Sequence, residues 1–371
     1  MTQPYRLLAA LLLFALPTAC GSDGGDETPE PSDPIHTVVV AADGSGDYTS
    51  VQEAFDALPV DNKPHIVRLR PGTYTEKVTL TSRHPYVTLI GDDAATCIIT
   101  WDDYAGRDNG AGGTLGTSGS QTFLIEANDF TASHVTIANT YVNSQANTAA
   151  NGKDTQAVSV QVKADRAAFY ECRITGYQDT FYGRGTGRVY LRDCYVEGNV
   201  DFIFGSSTIL LERCTLHMNR NNSVVTAPST PADHNYGIVC MDCTITFPSS
   251  DEVDFDGSKF SYFHLGRGWY PTQEAKPRAV FLRCEEPASL KAEGWTTMSA
   301  TSPAPTLFAE YRCTGEGATA DRLAQRANGG RQLSDAEAAE YTVEKIFAKT
   351  SATEYAADWL PAATFTDPGQ N

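Results

Sequence analysis

Phe169-Tyr170-Glu171-Cys172-Arg173-Ile174 is followed by two segments of the same shape, Leu191-Arg192-Asp193-Cys194-Tyr195-Val196 and Leu211-Glu212-Arg213-Cys214-Thr215-Leu216. Cys240-Met241-Asp242-Cys243-Thr244-Ile245 and Phe281-Leu282-Arg283-Cys284 carry the pattern onward. The first three cysteines step by 22 and then 20 residues. Each has an aliphatic residue two positions later, and the period of a strand puts both on one face. A repeat of roughly 20–25 residues built from short strands reads as a solenoid. No helical pattern intervenes, which disfavours a leucine-rich repeat. The segments predict an all-β chain, a parallel β-helix in which each coil stacks on the last and equivalent side chains form internal ladders. A cysteine in such a ladder packs as a small apolar residue. Adjacent rungs about 4.8 Å apart also fall within the Cα reach of a disulfide, so Cys194 and Cys214 are either packed thiols or bridged.

A solenoid exposes unpaired strand edges at its ends, and these need covers. Ser50 and Glu53 have capping-box spacing, Val51, Ala54, Phe55 and Leu58 follow at helical spacing, and Pro59 stops the element. Ser334 and Glu337 repeat the pattern before an Ala-rich run to about residue 349. Two short capping helices are expected, the first plugging one end and the second packing beside the coil. Residues 102–120 are Gly-rich and polar and read as a long loop over one face.

The chain has 371 residues, 41% of them hydrophobic, which is a globular composition. With 46 acidic and 28 basic residues the net charge is −18, the opposite of the basic footprint that nucleic acid requires. The first 20 residues read as an export signal: Arg6, then an apolar run over residues 7–16 too short to span a bilayer. The run ends in Leu16-Pro17-Thr18-Ala19-Cys20. This is similar to a bacterial lipobox, with Pro17 where leucine is usual, and implies lipidation at Cys20; a plain secretory signal is the simpler reading. Residues 21–35 are acidic and rich in Gly and Pro, as in a flexible tether. Residues 36–371 are left for the folded domain. The expected location is outside the cytoplasm, on a membrane through the lipid anchor alone, otherwise secreted.

The repeat length also bears on chemistry. Gln156 and Gln178 are 22 residues apart, and so are Asp179 and Asp201. Stacked one rung apart, the two carboxylates would lie roughly 5 Å from each other. Like charges that close split their pKa values, one ionised and one protonated. Ester hydrolysis through a covalent intermediate uses that division, with amides to hold the oxyanion. Neighbours on a regular strand point to opposite faces, however, so Gln178 and Asp179 can share a site only at a strand end or bulge. The plainer alternative is a polar ladder without chemistry.

The words around these residues narrow the choice. Gly176-Tyr177-Gln178-Asp179-Thr180-Phe181-Tyr182 and Asp201-Phe202-Ile203-Phe204-Gly205 resemble the two central motifs of pectin methylesterases. Gly72-Thr73-Tyr74-Thr75-Glu76, Gln156-Ala157-Val158 and Leu265-Gly266-Arg267-Gly268-Trp269 fit the same family in order and spacing, from about residue 38 to 360. The resemblance implies a right-handed parallel β-helix that removes methyl esters from homogalacturonan without a metal or other cofactor. It implies Asp201 as nucleophile, Asp179 as general acid and then base, and Gln178 with Gln156 as the oxyanion hole. It implies Arg267 as the partner that keeps Asp201 ionised, and Trp269 as the aromatic flanking the sugar. Tyr182, Phe202 and Val200 are expected to line the groove further. The chain is expected to act as a monomer.

The chain departs from the family at Gly268, where proline is usual, at Asn199, where a small or hydroxyl residue is usual, and at Ala324, where a tryptophan is common. Two other readings compete. A pectate or pectin lyase would use Arg267 as a base, with carboxylates on Ca²⁺ in the pectate case. A non-catalytic carbohydrate-binding solenoid would tolerate changes at both aspartates. The charge of −18 further predicts a preference for methylated over demethylated polymer, unless Arg184 or Arg188 faces the groove.

Overall fold

In the computed structural model, residues 35–152, 154–349 and 357–370 are described. The candidate signal with Cys20 and nearly all of the tether lie outside them. The strands form three sheets, one of eleven strands and two of seven, and every strand pair is parallel. Successive strands alternate among the sheets, which is a parallel β-helix wound in the right-handed sense that parallel crossovers take. Among the described residues no helix is long and apolar enough to cross a membrane.

The repeating segments sit at the same corner of seven successive coils. His134, Glu171, Asp193, Arg213, Asp242, Arg283 and Arg312 all have φ between 48° and 55°. One left-handed residue bends the chain from the eleven-stranded sheet into the next. The residue after each bend points inward: Val135, Cys172, Cys194, Cys214, Cys243, Cys284 and Cys313, all buried in the central core. These six cysteines therefore mark corners, while Cys97 and Cys240 lie in strands; the corner cysteines share the inward face with Ile174, Val196 and Leu216 as the spacing predicts.

Cys194 and Cys214 are free, as are the other described cysteines. Three successive thiols donate to a carbonyl of the rung before: Cys194 Sγ to Phe169 O at 3.4 Å, Cys214 to Leu191 O at 3.5 Å and Cys243 to Leu211 O at 3.4 Å. Those carbonyls belong to residues that are themselves in register. The column is a ladder of packed thiols, and the bridged alternative falls away.

The first capping helix spans Val51–Ala57, and Val51, Ala54, Phe55 and Leu58 enter the core. Ser50 Oγ accepts from Glu53 N at 3.2 Å. The reciprocal half of the expected box comes from elsewhere: the Glu76 carboxylate accepts from Ser50 Oγ, Val51 N and Gln52 N at 2.7–3.0 Å. An acid facing free amides at a helix start is stabilising. At the other end the expected single helix is two short turns, Asp335–Ala338 and Val343–Ile346. Thr342 caps the second by accepting from Lys345 N at 3.3 Å. A second N-cap interrupts the first run, which is why the Ala-rich pattern overstates its length.

These turns and residues 357–370 lie along the outer face of the eleven-stranded sheet. Ile346, Phe347, Trp359 and Phe365 pack on Tyr170, Tyr190 and Leu210. Arg188 Nη1 donates to Phe347 O at 2.7 Å and Ala357 O at 2.9 Å, Tyr170 Oη donates to Ala362 O at 3.0 Å, and Arg68 pairs with Asp367 at 2.8 Å.

Candidate active site

The site lies where the chain enters one seven-stranded sheet. Its strands Phe181–Gly183 and Ile203–Gly205 pair in register, Phe181 with Ile203 and Tyr182 with Phe204. Asp179 and Asp201 stand two residues before these strands, one rung apart. Both are left-handed, with φ of 65° and 53°. That bend answers the difficulty of neighbouring side chains: Gln178 and Asp179 flank a corner and both face the same cleft. Gln156, Gln178, Asp179, Asp201, Tyr182, Arg267 and Trp269 line a cavity of about 530 Å³.

Arg267 follows the strand Phe263–Gly266, two rungs beyond Asp201. Its Nε donates to Asp201 Oδ1 at 2.7 Å and its Nη2 to Oδ2 at 2.6 Å, a bidentate charged pair. Burial would lower the guanidinium, but Asp201 outweighs it and leaves Arg267 above its ordinary value. Burial raises Asp201 and Arg267 opposes the rise. Asp179 is raised well above the carboxylate range, first by burial and then by the charge of Asp201, with Arg267 opposing only through space. Asp201 is thus the carboxylate that ionises first and Asp179 the one that keeps its proton.

The apolar wall is built from Tyr182, Phe204, Val158 and Ala227, with Trp269 against them. Tyr182 stacks on Phe204 at 4.2 Å and 12°, and Trp269 closes on both rings at 6.2 and 5.8 Å. Phe202, expected in the groove, is fully buried in the central core. The corner at Asp201 turns Phe202 inward, and Phe204 is the ring that faces out. Val200 is half-buried and outside the cavity lining. Its carbonyl accepts from Asp179 N at 3.0 Å, so it braces the corner rather than the sugar.

The expected loop over one face does reach the cleft, through Leu115, Gly116, Thr117 and Ser118. Gly268 leaves no idle space: a Cβ there would stand 2.8 Å from the Tyr270 ring, which packs against the glycine. Trp269 N donates to Pro228 O at 2.9 Å and Arg267 N to Thr226 O at 3.0 Å, so this segment is tied along its length. Arg188 does not face the groove; it is fully buried and hydrogen-bonds Asp165 at 2.7–2.9 Å. Arg184 lines an adjoining cavity that shares Tyr182 and Trp269 with the first.

The pectinesterase family model matches residues 37–350. The chain belongs to the pectinesterase family. It is 34% identical to pectinesterase 31 of Arabidopsis thaliana over 82% of this chain and 90% of that one. Among solved structures, a pectin methylesterase in complex with a hexasaccharide superposes with a TM-score of 0.73 at 32% identity, covering 85% of this chain and 97% of the other. The carrot pectin methylesterase superposes at 0.71 and 30% identity, covering 85% and 94%.

Within this pectinesterase cleft, sequence reasoning did not place Phe204, Ala227 and Met298, nor did it say that the expected loop would meet the cleft through Leu115, Gly116, Thr117 and Ser118. Phe204 had a signal, since it stands 22 residues after Tyr182 just as Asp201 does after Asp179. Leu115, the short turn of helix at Thr117–Gly119 and Met298 lie outside the repeating strands, and no periodicity reports the path there.

Proposed function

We propose that the chain hydrolyses the methyl esters of homogalacturonan to methanol and pectate, with Asp201 as nucleophile. The observation that carries the mechanism is that Arg267 grips one carboxylate of a stacked pair and leaves the other to hold a proton. An Asp201 oxygen attacks the ester carbonyl carbon, and the oxyanion that forms takes hydrogen bonds from the amides of Gln178 and Gln156. Collapse breaks the bond to the methoxy oxygen, and Asp179 gives that oxygen its proton, releasing methanol and leaving a mixed anhydride on Asp201. Asp179, now a carboxylate, takes a proton from water as the water oxygen attacks the sugar's acyl carbon. Asp201 leaves as a carboxylate. Trp269 and Tyr182 offer apolar ring faces to the sugar.

The lyase reading needs Arg267 as a base. Its bidentate bond to Asp201 and its raised pKa oppose that, and both oxygens that a Ca²⁺ would take on Asp201 are engaged. The experiment is methanol release from methylated pectin with the ultraviolet absorbance of unsaturated chain ends followed in parallel. Methanol without absorbance is expected; absorbance without methanol overturns the proposal.

The proposal extends to the start of the chain. Arg6, the apolar run and Cys20 support export as a bacterial lipoprotein tethered by the acidic segment, held at a membrane surface in the periplasm or on the cell exterior; a monomer is the expected state. Wild-type protein should partition into detergent and Cys20→Ala should not. Equal partitioning would refute the anchor.

A further inference from the structure

Asn199 stands where the family usually has a small or hydroxyl residue, and it is fully buried beside Asp201. Its Oδ1 accepts from Val200 N at 2.7 Å. A backbone N–H can only donate, so this bond fixes which end of the amide is oxygen. Asn199 Nδ2 therefore donates, to Asn143 Oδ1 at 3.1 Å and to Asn219 Oδ1 at 3.0 Å. The far end is anchored in the same sense, because Asn219 Nδ2 donates to the Gly176 carbonyl at 2.9 Å. With its oxygen taken, Asn143 has its Nδ2 left to give, and that group reaches Gln178 Oε1 at 3.4 Å. Thr155 Oγ1 donates to the same oxygen at 3.3 Å. Asn143 and Thr155 are 2% and 3% exposed, so water does not compete for either.

We infer that Asn199, Asn143 and Thr155 are positioning residues, a polar relay that commits the Gln178 carbonyl oxygen inward and so presents the Gln178 NH₂ to the cleft as an oxyanion donor. Gln178 lines that cleft, and among the described residues its Nε2 has no hydrogen-bond partner. A carboxamide free to turn over would offer its oxygen to a developing negative charge half of the time. The relay's polarity is set at both ends by backbone groups, which cannot flip. Asn199 supplies two N–H donors, which a hydroxyl side chain in its place could not.

The inference rests on Gln178 acting on the oxyanion, and a double-mutant cycle separates the two. Asn143→Leu keeps shape and removes the donor. It should lower kcat about tenfold with KM within about twofold, as expected when a transition-state donor is misdirected. In a Gln178→Leu background it should cost nothing more. Unchanged kcat in Asn143→Leu overturns the relay, and so does a loss that multiplies with that of Gln178→Leu, which is what a merely structural role predicts. Full kcat in Gln178→Leu alone would instead remove the oxyanion assignment, and the relay would have nothing to position. If Asn143→Leu does not fold, Thr155→Val enters the same cycle. A fall in kcat there that vanishes on the Gln178→Leu background supports the relay, and wild-type kcat overturns it.

Discussion

Arg267 holds both oxygens of Asp201, at 2.7 and 2.6 Å, from two rungs away, while Asp179 on the rung before Asp201 has no hydrogen-bonded cation among the described residues. One arginine thus makes two chemically identical side chains unlike. Both are buried to the same extent, and the guanidinium bonds only one of them.

The first consequence is the pH dependence. Turnover needs Asp201 ionised and Asp179 protonated. Both are raised above the ordinary carboxylate value, Asp179 further. kcat/KM should therefore rise as pH passes Asp201 and fall as it passes Asp179. Arg267→Met should move the acid limb upward, since it removes what opposes burial at Asp201. A pH–rate profile whose acid limb stays in place would contradict the assignment.

Asp179→Asn and Asp201→Asn should each leave the fold intact. Loss of the general acid should lower kcat by about 10²–10⁴-fold, and loss of the nucleophile by at least as much. Asp179→Asn should also change how stability depends on pH. A carboxyl whose folded pKa is raised contributes stability below its unfolded pKa and loses it as pH rises through the folded one. Asp179→Asn cannot ionise, so its Tm should exceed that of the wild type increasingly towards alkaline pH. Thermal melts at several pH values read this directly, and a lower Tm at alkaline pH would count against it.

Chelator should leave methanol release unchanged. Among the described residues no group of His, Cys, Asp or Glu is arranged to hold a metal ion. Loss of activity with chelator and recovery on adding Ca²⁺ would replace this mechanism with another.

Denatured without reductant, the protein should react with thiol reagent at all eight cysteines from Cys97 to Cys313, and the native protein at none, since all eight are buried and free. A labelling count two short after denaturation would reveal a bridge.

Arg184 bears on substrate choice. Among the described residues, it and Arg267 are the Lys or Arg side chains lining the cleft and its extension, where Glu274 also lies, and Arg267 is committed to Asp201. The net charge of −18 repels demethylated polymer over about 8–10 Å. kcat/KM should therefore be higher on highly methylated pectin, and Arg184→Ala should widen the gap at low salt. A preference for low-methylated pectin that fades with salt would reverse the reading.

How much of this was legible beforehand depended on periodicity. The steps of 22 residues from Asp179 to Asp201 and of 20 from Cys194 to Cys214 are properties of a stacked coil, so sequence spacing converts into space. The corner at Asp201 broke the inference locally: a single left-handed residue swapped the facing of Phe202 and Phe204, and alternation could not foresee it. The helix Gln145–Asn151 went unread although Ser144 caps it in the ordinary way, accepting from Asn147 N at 3.1 Å. The partners of Asn199 lay further out of reach. Asn143 is 56 residues away in an irregular segment, and no repeat length connects the two.

A stack of coils touches only its neighbours and ordinarily frays from either end. The segment that returns along the outer face changes that. Asp367 meets Arg68 across 299 residues of chain, and on the way the strap is fastened to Tyr170 and Arg188. The first coils cannot peel away unless the last residues let go. What would be a one-dimensional zipper becomes a closed loop, in which loosening at one end is felt at the other. The same strap ties the coil of Arg68 to the coils of Tyr170 and Arg188, the two that run on into Asp179 and Asp201.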